Sequence, residues 1–112
     1  MNDNQEETIL FLRGPNGADA IGRLTGNGVL VLQNSRIATT VDPSLPAHLF
    51  DLRDKLIREE IIAKKDDLVI FDLEYLFPDP STAAAIVLGR EADGLKTWKT
   101  GDGKSLGNET AS

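Results

Sequence analysis

Apolar positions along this chain come in short runs separated by turn residues, with one helical stripe in the middle and an alanine tract after it. Thr8-Ile9-Leu10-Phe11-Leu12-Arg13 is a short apolar run and predicts a buried strand. Gly14-Pro15-Asn16-Gly17 stops it with turn residues. Ala18 to Thr25 predicts a second strand, and Asn27-Gly28 a two-residue hairpin turn, since both residues tolerate positive φ. Val29-Leu30-Val31-Leu32 returns as the third strand, and its unbroken apolar character predicts burial on both faces. Asn34 to Pro43 reads as a loop.

Leu45, Leu49, Leu52 and Leu56 are spaced four, three and four apart, so they line one face of a helix. Ser44 is placed to cap that helix, with Pro46 in its first turn, where a missing N–H costs nothing. Asp51–Lys55 and Asp54–Arg58 are i,i+4 pairs with the acid first. Ile61-Ile62-Ala63 begins another strand, and Lys64-Lys65-Asp66-Asp67 is a polar turn. Leu68 to Tyr75 predicts the strongest strand, with Val69, Phe71, Leu73, Tyr75 and Phe77 on one face. Asp79 then caps a helix with Pro80 at its first position, Ala83-Ala84-Ala85 as strong formers and Gly89 as a left-handed stop. Leu95 to Lys99 reads as a short strand or extended segment, and Asp93-Gly94 and Asp102-Gly103 as turns.

Together these elements predict an α+β fold: a mainly antiparallel sheet of about five strands with two helices, the C-terminal segment packing back on them. The 112 residues suffice for one domain, expected over residues 8–106, with flexible ends at 1–7 and 107–112. With no cysteine, disulfides, thiolate metal sites and a cysteine nucleophile are excluded. The polar, acidic start lacks the pattern of a signal peptide, and no apolar run approaches the ~18 residues of a membrane span. A cytoplasmic protein without a membrane partner is therefore expected. The net charge of −6 opposes general nucleic-acid binding, but its distribution is uneven. Residues 1–8 carry −3, residues 9–40 carry +2, residues 41–79 carry −5, and the remainder is neutral. A locally basic face remains open to the fold.

The order Phe77, Asp79-Pro80-Ser81-Thr82-Ala83-Ala84, Leu88-Gly89-Arg90, Asp93-Gly94-Leu95, Trp98-Lys99 resembles a bacterial domain of unknown function often found at the C-terminus of GIY-YIG nuclease-family proteins. The likeness extends upstream, to the hairpin from Gly22 to Ser35 and the leucine-arginine helix from Leu52-Arg53 to Ile57, and so covers about residues 9–106. The pattern is also similar to the restriction-enzyme and adenine-methylase associated (RAMA) domain. Two departures stand out. Leu95 occupies the place of the pattern's first tryptophan, and Glu59-Glu60 stands where a glycine usually follows the helix. The resemblance implies a non-enzymatic accessory module that contacts DNA, plain or modified, beside a nuclease or methylase. The nuclease segment itself is absent from this chain.

No cofactor, metal site or catalytic residue is expected. His48 is the single histidine and no partner motif accompanies it; Asp66-Asp67 reads as a solvated turn; the glycine-rich stretches match no phosphate loop. Two features suit nucleic acid. Ser81 lies in the first turn of a helix, whose free N–H groups bind anions when nothing else caps them. Arg90, Lys96, Trp98, Lys99 and Lys104 interleave bases with an aromatic, the chemistry of phosphate contact and base stacking. The competing reading makes Asp79 or Ser81 a plain cap and packs Trp98 over the alanine face, leaving the bases solvated. A protein-interaction or structural module, favoured by the acidic balance, is the alternative function, and an enzyme built on carboxylates alone is the third.

Overall fold

In the computed structural model, which describes residues 8–107, alternation of burial organises the first hairpin. Strand β1 (Thr8–Arg13) pairs antiparallel along its whole length with β2 (Asp19–Thr25). Leu10, Leu12, Ala20 and Gly22 face inward, while Phe11, Arg13, Asp19 and Ile21 face solvent. The turn to β3 (Gly28–Val31) falls one residue earlier than expected, at Gly26-Asn27, because Thr25 faces Gly28. The Thr25 hydroxyl closes it, accepting from the Asn27 N–H and donating to the Gly28 carbonyl. Strand β3 is buried on one face only: Val29 and Val31 are inside, and Leu30 and Leu32 half-buried.

The expected loop after β3 contains a two-residue strand, β4 (Arg36–Ile37), too short to show a period. It lies between two strands, Arg36 opposite Asp19 on one side and Ile70 on the other, with Ile37 buried in the core. Helix α1 (Ala47–Arg58) follows, with its leucine stripe turned to the core as expected: Leu45, Leu49 and Leu56 are buried and Leu52 partly so. Ser44 does not cap it. Pro46 is the N-cap, and the Ser44 hydroxyl accepts instead from the Glu91 N–H at 3.2 Å. Asp54–Arg58 pair at 3.1 Å, whereas Lys55 lies 4.0 Å from Glu59.

The single strand expected over Leu68 to Tyr75 is broken. Strand β5 (Ile62–Lys65) pairs with β6 (Leu68–Phe71) around a turn of Asp66-Asp67, so Lys64 and Lys65 belong to the strand. At Asp72 and Leu73 the N–H groups both turn to the Ile61 carbonyl, at 2.8 and 3.3 Å. Leu73 thereby leaves the core face and is 55% exposed. The chain resumes as β7 (Tyr75–Phe77), paired with β3. The strand order is β5-β6-β4-β2-β3-β7, with β1 on the other edge of β2. Although β6 and β7 lie far apart in that order, the Phe71 and Phe77 rings meet edge to face at 6.1 Å. The sheet is therefore curled.

Inside the curl lies α2 (Pro80–Leu88), whose residues from Ala83 to Leu88 are all buried. A helix apolar all round belongs in a core, and the alanines let strands approach it closely. Its caps are those the sequence predicts: the Asp79 carboxylate accepts from the Thr82 N–H at 2.7 Å, and Gly89 ends it at φ 71°. Asp93 caps a further short helix, α3 (Gly94–Thr97), where an extended segment is expected. Among the described residues there are thus seven strands and three helices, in an α+β arrangement as predicted. The C-terminal segment packs back as expected, with Lys99 bridging Phe11 and Ser105. Of the ends expected at 1–7 and 107–112, only Gly107 is among the described residues, and it is half-buried beside Leu95.

Candidate nucleic-acid interface

The basic and aromatic cluster read from residues 90–104 does not assemble as one surface. Trp98 is 0% exposed. It sits on the inner side of β2, under Gly22, and donates its indole N–H to the Pro80 carbonyl at 3.1 Å. No ring face is left for a base, so this aromatic is a core residue. Ser81 is also engaged: its hydroxyl accepts from the Gly94 N–H at 2.9 Å. The Asp79 carboxylate occupies the start of α2, taking the Thr82 N–H and hydroxyl, so an anion there would meet a carboxylate. Arg90 follows the C-terminal end of α2, beside Asp42, while Gly94 and Lys96 lie by its N-terminal end. A nine-residue helix separates these ends by about 13 Å. Asp42 is held below the usual carboxylate range, mainly by the Ser44 N–H and further by Arg90. Lys96 and Lys104 are exposed, Lys104 in the turn beyond Lys99.

Lys99 alone of that set joins another group. Its backbone exchanges two hydrogen bonds with Phe11, at 2.7 and 2.9 Å. Phe11 therefore directs its N–H and C=O away from β2. Ile21 opposite it likewise directs its own toward Leu32 and Ser35. Phe11 and Ile21 thus form a non-hydrogen-bonded cross-strand pair, the geometry that brings side chains closest. They are 40% and 41% exposed, and Ile9 continues the apolar surface.

The next row along the same face is charged. Arg13, Asp19 and Arg36 stand opposite one another on β1, β2 and β4, so all three project to the outer side. Arg13 reaches Asp19 at 3.5 Å, both well exposed, a weak pair in water. Rows along a strand are two residues, or about 7 Å, apart. The outer face therefore carries the Phe11–Ile21 row between a row in which Ile9 stands opposite Arg23 and the row with Arg13 and Arg36. Lys99 flanks Phe11, and a shallow depression lined by Phe11, Arg13, Lys99, Thr100 and Gly101 opens next to it. Asp102 in the adjoining turn is held below the usual carboxylate range by the Thr100 hydroxyl.

Of the sequence-predicted residues, this face includes Lys99. Phe11, Arg13, Ile21 and Arg36 were missed. Their signal was the +2 balance of residues 9–40 together with apolar residues at both parities of Thr8–Arg13. A run apolar at both parities reads as buried on both sides, yet here one parity faces solvent. His48 is exposed on α1. At the place of the resembling pattern's first tryptophan, Leu95 is exposed on α3.

Over residues 10–109 the chain matches the family described as a domain of unknown function (DUF4357), and it belongs to that family. No curated protein and no solved structure matches it.

Proposed function

We propose that this domain is a non-enzymatic accessory module that binds nucleic acid through the outer face of β1, β2 and β4. The observation that carries this reading is the placement of Arg13, Arg36 and Lys99 around an exposed phenylalanine, with Asp19 as the acid in that row, on a chain whose net charge is −6. Cations of this kind release counterions from phosphates, and an exposed ring offers a stacking surface. In this reading the partner is DNA, plain or modified, handled beside a nuclease or methylase in a restriction or DNA-processing context. The resemblance described above supplies that context, which is associational.

The exposed apolar trio Ile9, Phe11 and Ile21 also suits a protein partner, which is the second reading. An amide-shift NMR titration with short DNA, plain and adenine-methylated, at low and moderate salt separates the two. Shifts confined to Ile9–Arg13, Asp19–Arg23, Arg36 and Lys99, fading with salt, are expected. Unchanged spectra at low salt would remove the nucleic-acid reading and leave the protein-partner one. A difference between the two DNAs would identify the modification as part of what is read.

A further inference from the structure

We infer that the nucleic acid this face accepts is single-stranded, with its backbone along the Arg13–Asp19–Arg36 row and a base on Phe11. The inference rests on the nucleic-acid reading above and narrows it. Three observations support it. First, Arg13 and Arg36 form a row about 7 Å from that of Phe11, and Lys99 stands opposite the ring in its own row. A single strand presents phosphates and bases side by side in this way. A duplex presents phosphates on its outside and hides its base faces in the stack.

Second, Phe11 stands on the outer side of a curled sheet whose inner side holds α2. A convex face touches a rigid duplex over a narrow strip and gives its ring only backbone to meet. A splayed base, whose π-face is free, can lie flat on it.

Third, the depression beside Phe11 is bordered by Thr97, Thr100 and Gly101, small groups that leave room at the ring's edge. Lys99 is anchored next to it by two backbone bonds to Phe11 itself, so the two residues keep a fixed backbone relation. Its ammonium group donates to the Lys96 carbonyl at 3.0 Å and can exchange that partner for a phosphate without disturbing the fold.

The test compares a labelled oligonucleotide of about 15 nucleotides, single-stranded, with the same strand annealed to its complement, by fluorescence anisotropy at about 50 mM salt. Tighter binding of the single strand by at least about tenfold is expected. Phe11→Leu keeps an apolar residue on the strand and removes the ring. It should weaken single-strand binding roughly 5- to 150-fold, the loss that follows from one stacked base, while Phe11→Tyr keeps the affinity. Circular dichroism and thermal melts of both variants check that the fold is retained. Equal or tighter duplex binding, or equal loss in the leucine and tyrosine variants, would overturn the single-strand inference and leave the broader reading standing. Absence of binding to either form would sink both.

Discussion

Ser35 shows how much one side chain carries at the point where the sheet divides. The edge of β2 facing away from β1 is shared, with β3 pairing its C-terminal half and β4 reaching Asp19. Between them the backbone ladder has a gap, and the buried Ser35 hydroxyl fills it. It accepts from the Ile21 N–H and donates to the Ile21 carbonyl, both at 3.1 Å. That carbonyl also receives the Leu32 N–H, so it survives loss of the hydroxyl, whereas the Ile21 N–H does not. Ser35→Ala should cost about 1–3 kcal/mol, the penalty for an orphaned buried donor. Urea unfolding measures it, and faster hydrogen exchange at the Ile21 amide localises it. Glu60 is a second residue with a definite cost. It follows α1 at φ 63°, in a Schellman arrangement: its N–H bonds the Ile57 carbonyl, and the Ile61 N–H bonds the Leu56 carbonyl at 3.0 Å. A side chain in that conformation costs about 1–2 kcal/mol. Glycine removes this but loses about 0.4–1 kcal/mol through a freer unfolded chain. Glu60→Gly should therefore stabilise by about 0.5–1 kcal/mol. A raised urea midpoint with an unchanged m-value is the expected result, and a lowered midpoint would contradict the backbone argument. The departure from glycine at this point was legible in the sequence. The positive φ that gives it meaning was not.

At the scale of elements, the start of α2 is clasped by α3. Three contacts meet there: Ser81 to the Gly94 N–H, Trp98 to the Pro80 carbonyl, and Gly94 against the backbone of Pro80 and Ser81. A Cβ at Gly94 would stand 2.2 Å from the Pro80 carbonyl carbon, and backbone cannot step aside as a side chain does. Gly94→Ala should destabilise by at least about 1–3 kcal/mol, and the indole N–H resonance of Trp98 should shift as its bond lengthens. An alanine variant that melts at the wild-type temperature with an unmoved indole signal would show the clasp to be slack. The two helices differ in how far the sequence announces them. The signals of α2 are local, a capping aspartate, a proline at the first position and a glycine stop, and all three are realised. Those of α3 are outweighed in the sequence by the turn reading of Asp93-Gly94, because what holds this four-residue helix is its contact with Pro80, eighteen residues before Trp98. The break after β6 has the same origin. Alternation continues through Leu73, but the Ile61 carbonyl captures two N–H groups and turns the chain. Register imposed from elsewhere, not composition, decides these places.

At the scale of the whole molecule, the question is whether a phosphate polymer can approach a protein of net charge −6. The smallest principal extent is 23 Å, more than twice the Debye length of about 8–10 Å near physiological salt. What a strand meets is therefore the local charge, and this was the part of the site the sequence hinted at without placing. The balance of residues 9–40 is positive, but only pairing of β1, β2 and β4 turns three separate stretches into one row. Of the acid, a net −5 lies over residues 41–79, on α1, the Asp66-Asp67 turn and the connection to β7, and −3 over residues 1–8, whose acids precede β1 in sequence. Arg13, Arg36 and Lys99, opposed by Asp19, should neutralise about two to three phosphates. For a single strand, each contributes about −0.7 to the slope of log K against log salt. The slope should then be about −1.5 to −2, or roughly tenfold weaker binding on going from about 50 to about 200 mM salt. Arg36→Ala should make the slope shallower by about 0.7 without altering the melt, since Arg36 is exposed. Lys64→Ala, a charge of the same sign on β5 at the far end of the sheet order, should leave the slope unchanged. A slope near zero in the wild-type protein would mean that the Phe11–Ile21 row, not the arginine row, holds the ligand. Equal effects of the Arg36 and Lys64 substitutions would mean that charge acts diffusely, with no row to which a backbone is fitted.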